Sequence, residues 1–354
     1  MSKPRLIAFY LPQFYPTKEN DEWWRKGFTE WTNVGNAKPL FTGHDQPRVP
    51  ADLGYYDLRI PEIREQQADL AKEAGVEGFC YWHYWFAGKR LLDRVFREVV
   101  EGGQPNYPFC LCWANHSWYQ KTWDPTKPDR LLIEQTYPGV DDYIAHFNAM
   151  LPAFKDKRYM KVNGKLIFGI YDSWGFDDFF LFKTTWEQLA QENGLAGFYF
   201  FGFTFKTKFR NEIKSKGYDS VVTDPILEFK DGYTSMMEKI KRKLLHHPKV
   251  LYYDDYAKWV MDHYELDNCF HPCINPNFDH SPRSRERGVI IHGHSPKKWG
   301  GLCRDIFKLC DQREGEENLV FIKAWNEWGE GNYLEPDLKF GKGFLDELRN
   351  AYTR

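Results

Sequence analysis

The chain has 354 residues, long for one domain but within the range of a single α/β barrel, and its 48 basic and 50 acidic side chains leave a net charge of -2. That balance supplies no field for gathering nucleic acid or holding an anionic membrane, so neither is expected as a partner. Seven cysteines whose spacings compel no disulfide framework, an amino terminus without an apolar run of signal length, and no stretch approaching a membrane span point to reduced thiols, a cytoplasmic address and no integral membrane segment.

The first apolar run predicts a strand over 6–11. A long connection, 12–59, follows and contains the dense stretch Gly27-Phe28-Thr29-Glu30-Trp31-Thr32-Asn33-Val34. Ile63, Leu70 and Ala74 then recur at helical spacing and predict a helix over 61–73 that stops at Gly75. The alternation continues with a strand over 76–82, a helix over 91–101, a strand over 109–114 and a helix over 142–154. A strand over 166–171, a helix over 179–192 before Gly194, a strand over 197–203, a helix over 209–216 before Gly217 and a strand over 219–223 come next. The second long connection, 223–254, is rich in Lys and has its own helical pattern at 236–245. Helices over 256–264, 297–311 and 344–351 alternate with strands over 269–275 and 319–325 to the end.

Eight strands alternating with eight helices predict a (β/α)8 barrel with elaborated loops. No low-complexity or Pro/Gly/Ser-rich linker divides it, so the expectation is one domain over 1–354. A doubly wound open sheet competes, but no glycine-rich phosphate loop follows the first strand. Cys110 with Cys112, and Cys269 with Cys273, lack a repeated Cys-x-x-Cys spacing and read as small buried apolar groups rather than zinc ligands.

In such a barrel the carboxyl ends of the strands build the active site. The last strand runs into Ala324-Trp325-Asn326-Glu327-Trp328-Gly329-Glu330-Gly331, two carboxylates three residues apart among aromatics. Carboxyls crowded together in a partly dry setting separate in pKa into one acid and one base, which is what glycosidic-bond chemistry uses. The other strand ends offer Tyr10 and Gln13, then Tyr81, His83 and Tyr84, then Trp113, Asn115, His116 and Trp118, and finally Asn277, Asp279 and Arg283. The first long loop adds Glu30 and Trp31, and Asn326 and Trp328 flank the glutamates. Fixed donors and acceptors suit sugar hydroxyls, and indole and phenol faces suit sugar rings. The 14 Trp, 21 Tyr and 28 Phe exceed what an ordinary core needs, although most of them belong to one. Plainer readings stand beside these. His83 and His116 read equally as structural histidines, Arg283 and Asp279 as an ion pair holding their loop, and Glu335 as a supporting group rather than a third catalytic carboxylate.

Several motifs together resemble the WbsX family of surface-polysaccharide gene clusters, itself similar to glycoside hydrolase family 99, the endo-α-mannosidases. They are Ala8-Phe9-Tyr10-Leu11-Pro12-Gln13-Phe14, the stretch 27–33, Lys38-Pro39-Leu40-Phe41, Gly78-Phe79-Cys80-Tyr81-Trp82-His83-Tyr84-Trp85-Phe86, Cys112-Trp113-Ala114-Asn115, Asn277-Phe278-Asp279-His280-Ser281-Pro282-Arg283 and 324–337. The resemblance implies a (β/α)8 barrel in which Glu330 is the general acid/base at the glycosidic oxygen and Glu327 is the base that takes a proton from the substrate's 2-hydroxyl. A 1,2-anhydro sugar would form and open with net retention, so the carboxyl separation does not predict stereochemistry as it does in ordinary glycosidases. One departure is Asn115-His116-Ser117-Trp118, where the family pattern has a carboxylate at the position of His116.

The sequence therefore points to an enzyme cleaving an α-linked oligosaccharide or polysaccharide, with lipid-linked substrates open and no metal or cofactor expected. A glycosyltransferase is the rival the family label suggests, although no Asp-x-Asp run suits a metal-held sugar nucleotide. A non-catalytic glycan-binding barrel is the rival from another class.

Overall fold

The computed structural model describes residues 3–121, 128–232, 247–264, 267 and 269–353; the helix expected over 236–245 lies outside them. Eight strands, β1 (Arg5–Tyr10), β2 (Gly78–His83), β3 (Phe109–Trp113), β4 (Lys165–Ile170), β5 (Phe198–Thr204), β6 (Ser220–Thr223), β7 (Phe270–Ile274) and β8 (Leu319–Ile322), pair in parallel in chain order. Pairing of β8 with β1, from Arg5↔Leu319 to Ala8↔Ile322, closes the ring. Between and after them run α1 (Pro61–Glu73), α2 (Arg94–Gly102), α3 (Val140–Phe154), α4 (Phe179–Glu192), α5 (Arg210–Ser215), α6 (Tyr253–His263), α7 (Pro296–Cys310) and α8 (Gly343–Thr353). The chain is thus a closed (β/α)8 barrel, and all eight expected strands and eight alternating helices are found within a few residues of their expected bounds.

Local chemistry explains the elements. Pro61 opens α1 where its missing N–H costs nothing, and Gly75 ends the turn beyond it with a φ of 89°. Ser295 caps α7 by accepting the Lys298 N–H. Both faces of the barrel strands are buried, so they read as continuous apolar runs rather than as an alternation. Inside the ring, Phe9, Phe201 and Phe321 fill the axis, with Phe201 and Phe321 centroids 4.9 Å apart. Gly169 is glycine because a side chain there would collide with the Phe201 ring. This filled axis is the floor on which the mouth sits. Burial of each such ring contributes about 1.5–3 kcal/mol.

Candidate active site

Beyond β8 the chain turns into a two-stranded hairpin, Asn326–Glu327 against Asn332–Tyr333, around a helical turn at Trp328–Glu330. The Asn326 side chain ties this hairpin to β1, its Oδ1 accepting from the Leu11 N–H at 2.7 Å and its amide donating to the Leu11 carbonyl at 3.1 Å. Gly331 adopts a φ of 52°, and a β-carbon there would come within 2.7 Å of Asp279. The turn is therefore held at both of its ends, and it carries both glutamates to one hollow of about 320 Å³. That volume lies at the small end of ligand sites, which run from roughly 300 to 1,000 Å³.

Lys323, inward-facing just past β8, donates to Glu327 Oε2 at 3.1 Å and to Glu330 Oε2 at 2.9 Å. Glu327 Oε1 accepts the indole N–H of Trp82 at 2.8 Å. Glu330 Oε1 accepts from Arg283 at 2.5 Å, and Arg283 also donates to the buried Glu30 Oε2 through Nε at 3.1 Å, with its second terminal nitrogen in ion-pair contact with the same oxygen at 3.0 Å. Gly329 is where Glu30 and Arg283 cross, since a side chain there would strike the Glu30 carboxylate and come within 2.9 Å of Arg283 Nε.

Burial pushes the Glu327 carboxyl up to about 7, against the opposing pull of Lys323. Burial would raise Glu330 as well, but Lys323 and then Arg283 outweigh it and hold this carboxyl well below the usual range. Lys323 is driven well above its ordinary value because its two glutamate partners overcome the burial that opposes its charge. The pair thus separates into Glu327, the carboxyl that keeps its proton up toward neutral pH, and Glu330, the one that stays ionised. That is the reverse of the resting allocation the family resemblance implies. His116 and His280, also at the hollow, are lowered by burial and stand neutral near pH 7.

Of the residues expected at the site, Gln13, Tyr84, His116, Trp118, Arg283, Glu327 and Glu330 line the hollow. Tyr10, Tyr81, His83 and Trp113 do not, because they occupy the strand faces that point to the helices. Tyr10 donates to Gln67 on α1, Tyr81 packs on Phe96 of α2, His83 pairs with His146 of α3, and Trp113 packs on Phe182 of α4. A strand's side chains alternate, so the residue one step earlier, Phe9 or Trp82, is the one that faces the axis. The Asn115 amide clasps Tyr137 and the Asp172 backbone, and Asn277 clasps the Tyr333 backbone. Asp279 pairs with His44 and Gln46 rather than with Arg283, so the ion pair considered for that loop is replaced by Arg283 with Glu30 and Glu330. Trp31 donates to the Tyr56 carbonyl, and Trp328 donates to Glu335 and stacks on Tyr333 with centroids 3.7 Å apart. Glu335 is a supporting group that accepts from Tyr56, Gln67 and Trp328.

Among the lining residues the sequence did not assign to the site are Lys323 and Trp82, with Phe205 nearby; Tyr171 and His280, from strand-end runs the sequence did point to, also line it. Lys323 carried one usable signal, a lone charge at the end of an apolar strand one full alternation past Phe321. Among the described residues no group of three or more His, Cys, Asp or Glu side chains stands together as a metal site, all seven cysteines are free thiols, and no helix is long and apolar enough to cross a membrane.

Residues 6–348 match the family described as glycosyltransferase WbsX. A protein called WxcX, described as uncharacterized, from Xanthomonas campestris pv. campestris is 36% identical over 365 residues, covering 99% of this chain and 50% of its own length. The chain therefore spans about half the length of the curated relatives it matches. Among solved structures, a glycoside hydrolase-like protein superposes with a TM-score of 0.66 at 13% identity, over 99% of this chain and 94% of its own. The family 99 endo-α-mannosidase from Bacteroides thetaiotaomicron superposes with a TM-score of 0.54 at 15% identity, over 99% of both chains. These two likenesses establish a shared barrel fold.

Proposed function

We propose that this chain, which belongs to the WbsX glycosyltransferase family, is a carbohydrate-active enzyme that breaks an α-glycosidic bond at the hollow beyond β8, with Glu327 and Glu330 as its reacting groups. One observation carries the reading: a buried Glu327 and a half-buried Glu330, both held by Lys323 and the second also by Arg283, face one hollow walled by Trp82, Tyr84, Trp118 and Tyr171. Such a pair supplies a proton donor and a proton acceptor within reach of one bond.

In the finer form of the proposal, Glu330 delivers a proton to the glycosidic oxygen and the leaving sugar departs as an alcohol. Glu327 takes the proton of the 2-hydroxyl as that oxygen bonds to the anomeric carbon, giving the 1,2-anhydro sugar. Water then adds to the anomeric carbon, yielding its proton to Glu330, while Glu327 returns its proton to the 2-oxygen, and configuration is retained. The resting pair holds the one proton this sequence needs, but on Glu327. Transfer of that proton to Glu330 gives the reactive form without changing the net charge, and a substrate hydroxyl contacting Glu327 favours it.

The barrel serves this unit over the whole chain, and its substrate is an oligosaccharide or polysaccharide, lipid-linked forms included. The family's description favours a second reading, transfer of the sugar to another hydroxyl rather than to water. Incubation with a panel of α-linked oligosaccharides separates the two. Release of free reducing ends supports hydrolysis, incorporation of a labelled acceptor supports transfer, and binding without either product supports a glycan-binding barrel and sinks the enzymatic reading.

A further inference from the structure

Lys323 lines the hollow, and neither the proton transfers nor ring stacking assigns it a part. It follows Phe321 by two residues, so it emerges one layer above the aromatic plug of the barrel, and its backbone N–H donates to the Ile274 carbonyl of β7 at 3.1 Å. Its side chain is only 6% exposed. The contacts are symmetric. Each carboxyl gives one oxygen to the ammonium, Glu327 at 3.1 Å and Glu330 at 2.9 Å, and gives the other to a partner of its own, Trp82 or Arg283.

We propose that Lys323 is the positioning residue of the pair: one buried ammonium aims both carboxyls into the hollow and sets how many protons they share. This rests on the proposed function only for its catalytic consequence. The charge count supports it. Lys323 and Arg283 bring two positive charges against Glu30 and Glu330, so the cluster is balanced when Glu327 is protonated and carries one unmatched negative charge when it is not. Without Lys323 a single guanidinium faces all three carboxyls, and two buried carboxylates at one site ionise together only at high cost.

The other groups facing the pair leave this role to Lys323. His280 is neutral, Tyr171 on the β4 side is held in its phenol form by burial, and Trp82 from β2 is uncharged. Asp224, past β6, acts on Lys323 through space, and its Oδ2 is buried without a hydrogen-bond partner among the described residues. Asp224 is itself raised by burial and adds no positive charge to replace the lost one.

The test is a titration without substrate, so its outcome is independent of whether any glycan is ever turned over. Protein carrying carboxyl-13C glutamate is followed by NMR from acid to alkaline pH, with Glu327→Gln and Glu330→Gln assigning the two resonances. In the wild type one carboxyl should stay ionised while the other titrates near neutrality; two equal midpoints would overturn the proposal by themselves, even if no charge-removing variant folds. Lys323→Met and Lys323→Gln should each raise both midpoints by at least about one pH unit, a tenfold gain in proton affinity, while Lys323→Arg should leave them near the wild-type values. Folded Lys323→Met or Lys323→Gln protein with unmoved midpoints would reduce Lys323 to a structural strut and refute its proposed role.

Discussion

The Arg283–Glu30 contact makes a quantitative prediction about what holds Glu330 in place. Arg283 donates once to Glu330 and once, through Nε, to Glu30, whose side chain is only 7% exposed and also lies 3.0 Å from a terminal nitrogen of Arg283. Breaking a buried ion pair from one side costs about 3–5 kcal/mol because the surviving charge is stranded. Arg283 and Glu330 retain 25% and 19% of their side-chain exposure, so water softens the loss, and Arg283→Met should cost about 2–3 kcal/mol. Glu30→Gln keeps an acceptor oxygen and exchanges charge-assisted for neutral hydrogen bonds, at about 1–2 kcal/mol. Because Glu30 is the group that Arg283→Met strands, the double variant should lose less than the sum of the singles by about 1 kcal/mol or more. Urea unfolding at neutral pH is the assay, since guanidinium chloride would screen the pair. Additivity within roughly 0.3–0.5 kcal/mol would show that the two residues are not coupled and would refute this account of how Arg283 is held.

Three further outcomes follow from the same geometry. Trp113→Ala should cost about 3–5 kcal/mol of stability, because the ring is fully buried against α3 and α4; a variant with wild-type unfolding midpoint and weakened glycan affinity would instead place the ring at the substrate. The folded chain holds the Glu327 proton up to about pH 7, whereas the unfolded chain releases it near 4.5. Its stabilising contribution is therefore complete below pH 4.5 and is lost as pH rises through 7. The stability of Glu327→Gln relative to wild type should accordingly climb across that window, with Glu335 imposing the same trend on both proteins, and a flat difference in urea midpoints from pH 4.5 to 8 would contradict the raised carboxyl. Gly329→Ala should displace the Glu30–Arg283 crossing and lower turnover more than it lowers the melting temperature; equal turnover would mean the crossing does not govern Glu330.

The fold was legible because each barrel strand is an apolar run and several helices stop at glycines such as Gly75 and Gly217, whose φ values of 89° and 102° few other residues adopt. The position of the glutamate pair at a strand-end hollow was legible because two carboxylates set among tryptophans and glycines fit a solvated turn poorly. What was hidden is orientation. Strands buried on both faces offer no polar alternation, so the sequence does not distinguish Tyr10 from Phe9, or Tyr81 from Trp82, as the residue facing the axis. Tyr10 and Tyr81 carry hydroxyls and drew the functional reading, but Tyr10 spends its hydroxyl on Gln67 of α1 and Tyr81 packs on Phe96 of α2. Asn115, Asn277 and Asn326 misled for a related reason, since an amide that clasps a backbone looks in sequence like one that binds a sugar. The partners of Lys323 stayed hidden because they lie four and seven residues away across a turn whose shape the sequence does not declare.

The most direct test of the central claim is turnover and binding measured together on Glu327→Gln and Glu330→Gln, with whichever α-linked oligosaccharide the panel shows to be processed. Both variants should lose turnover by several orders of magnitude while glycan affinity stays within a fewfold of wild type, because proton transfer is removed and the aromatic walls remain. Near-normal turnover in either variant would take the reaction away from this pair of carboxyls.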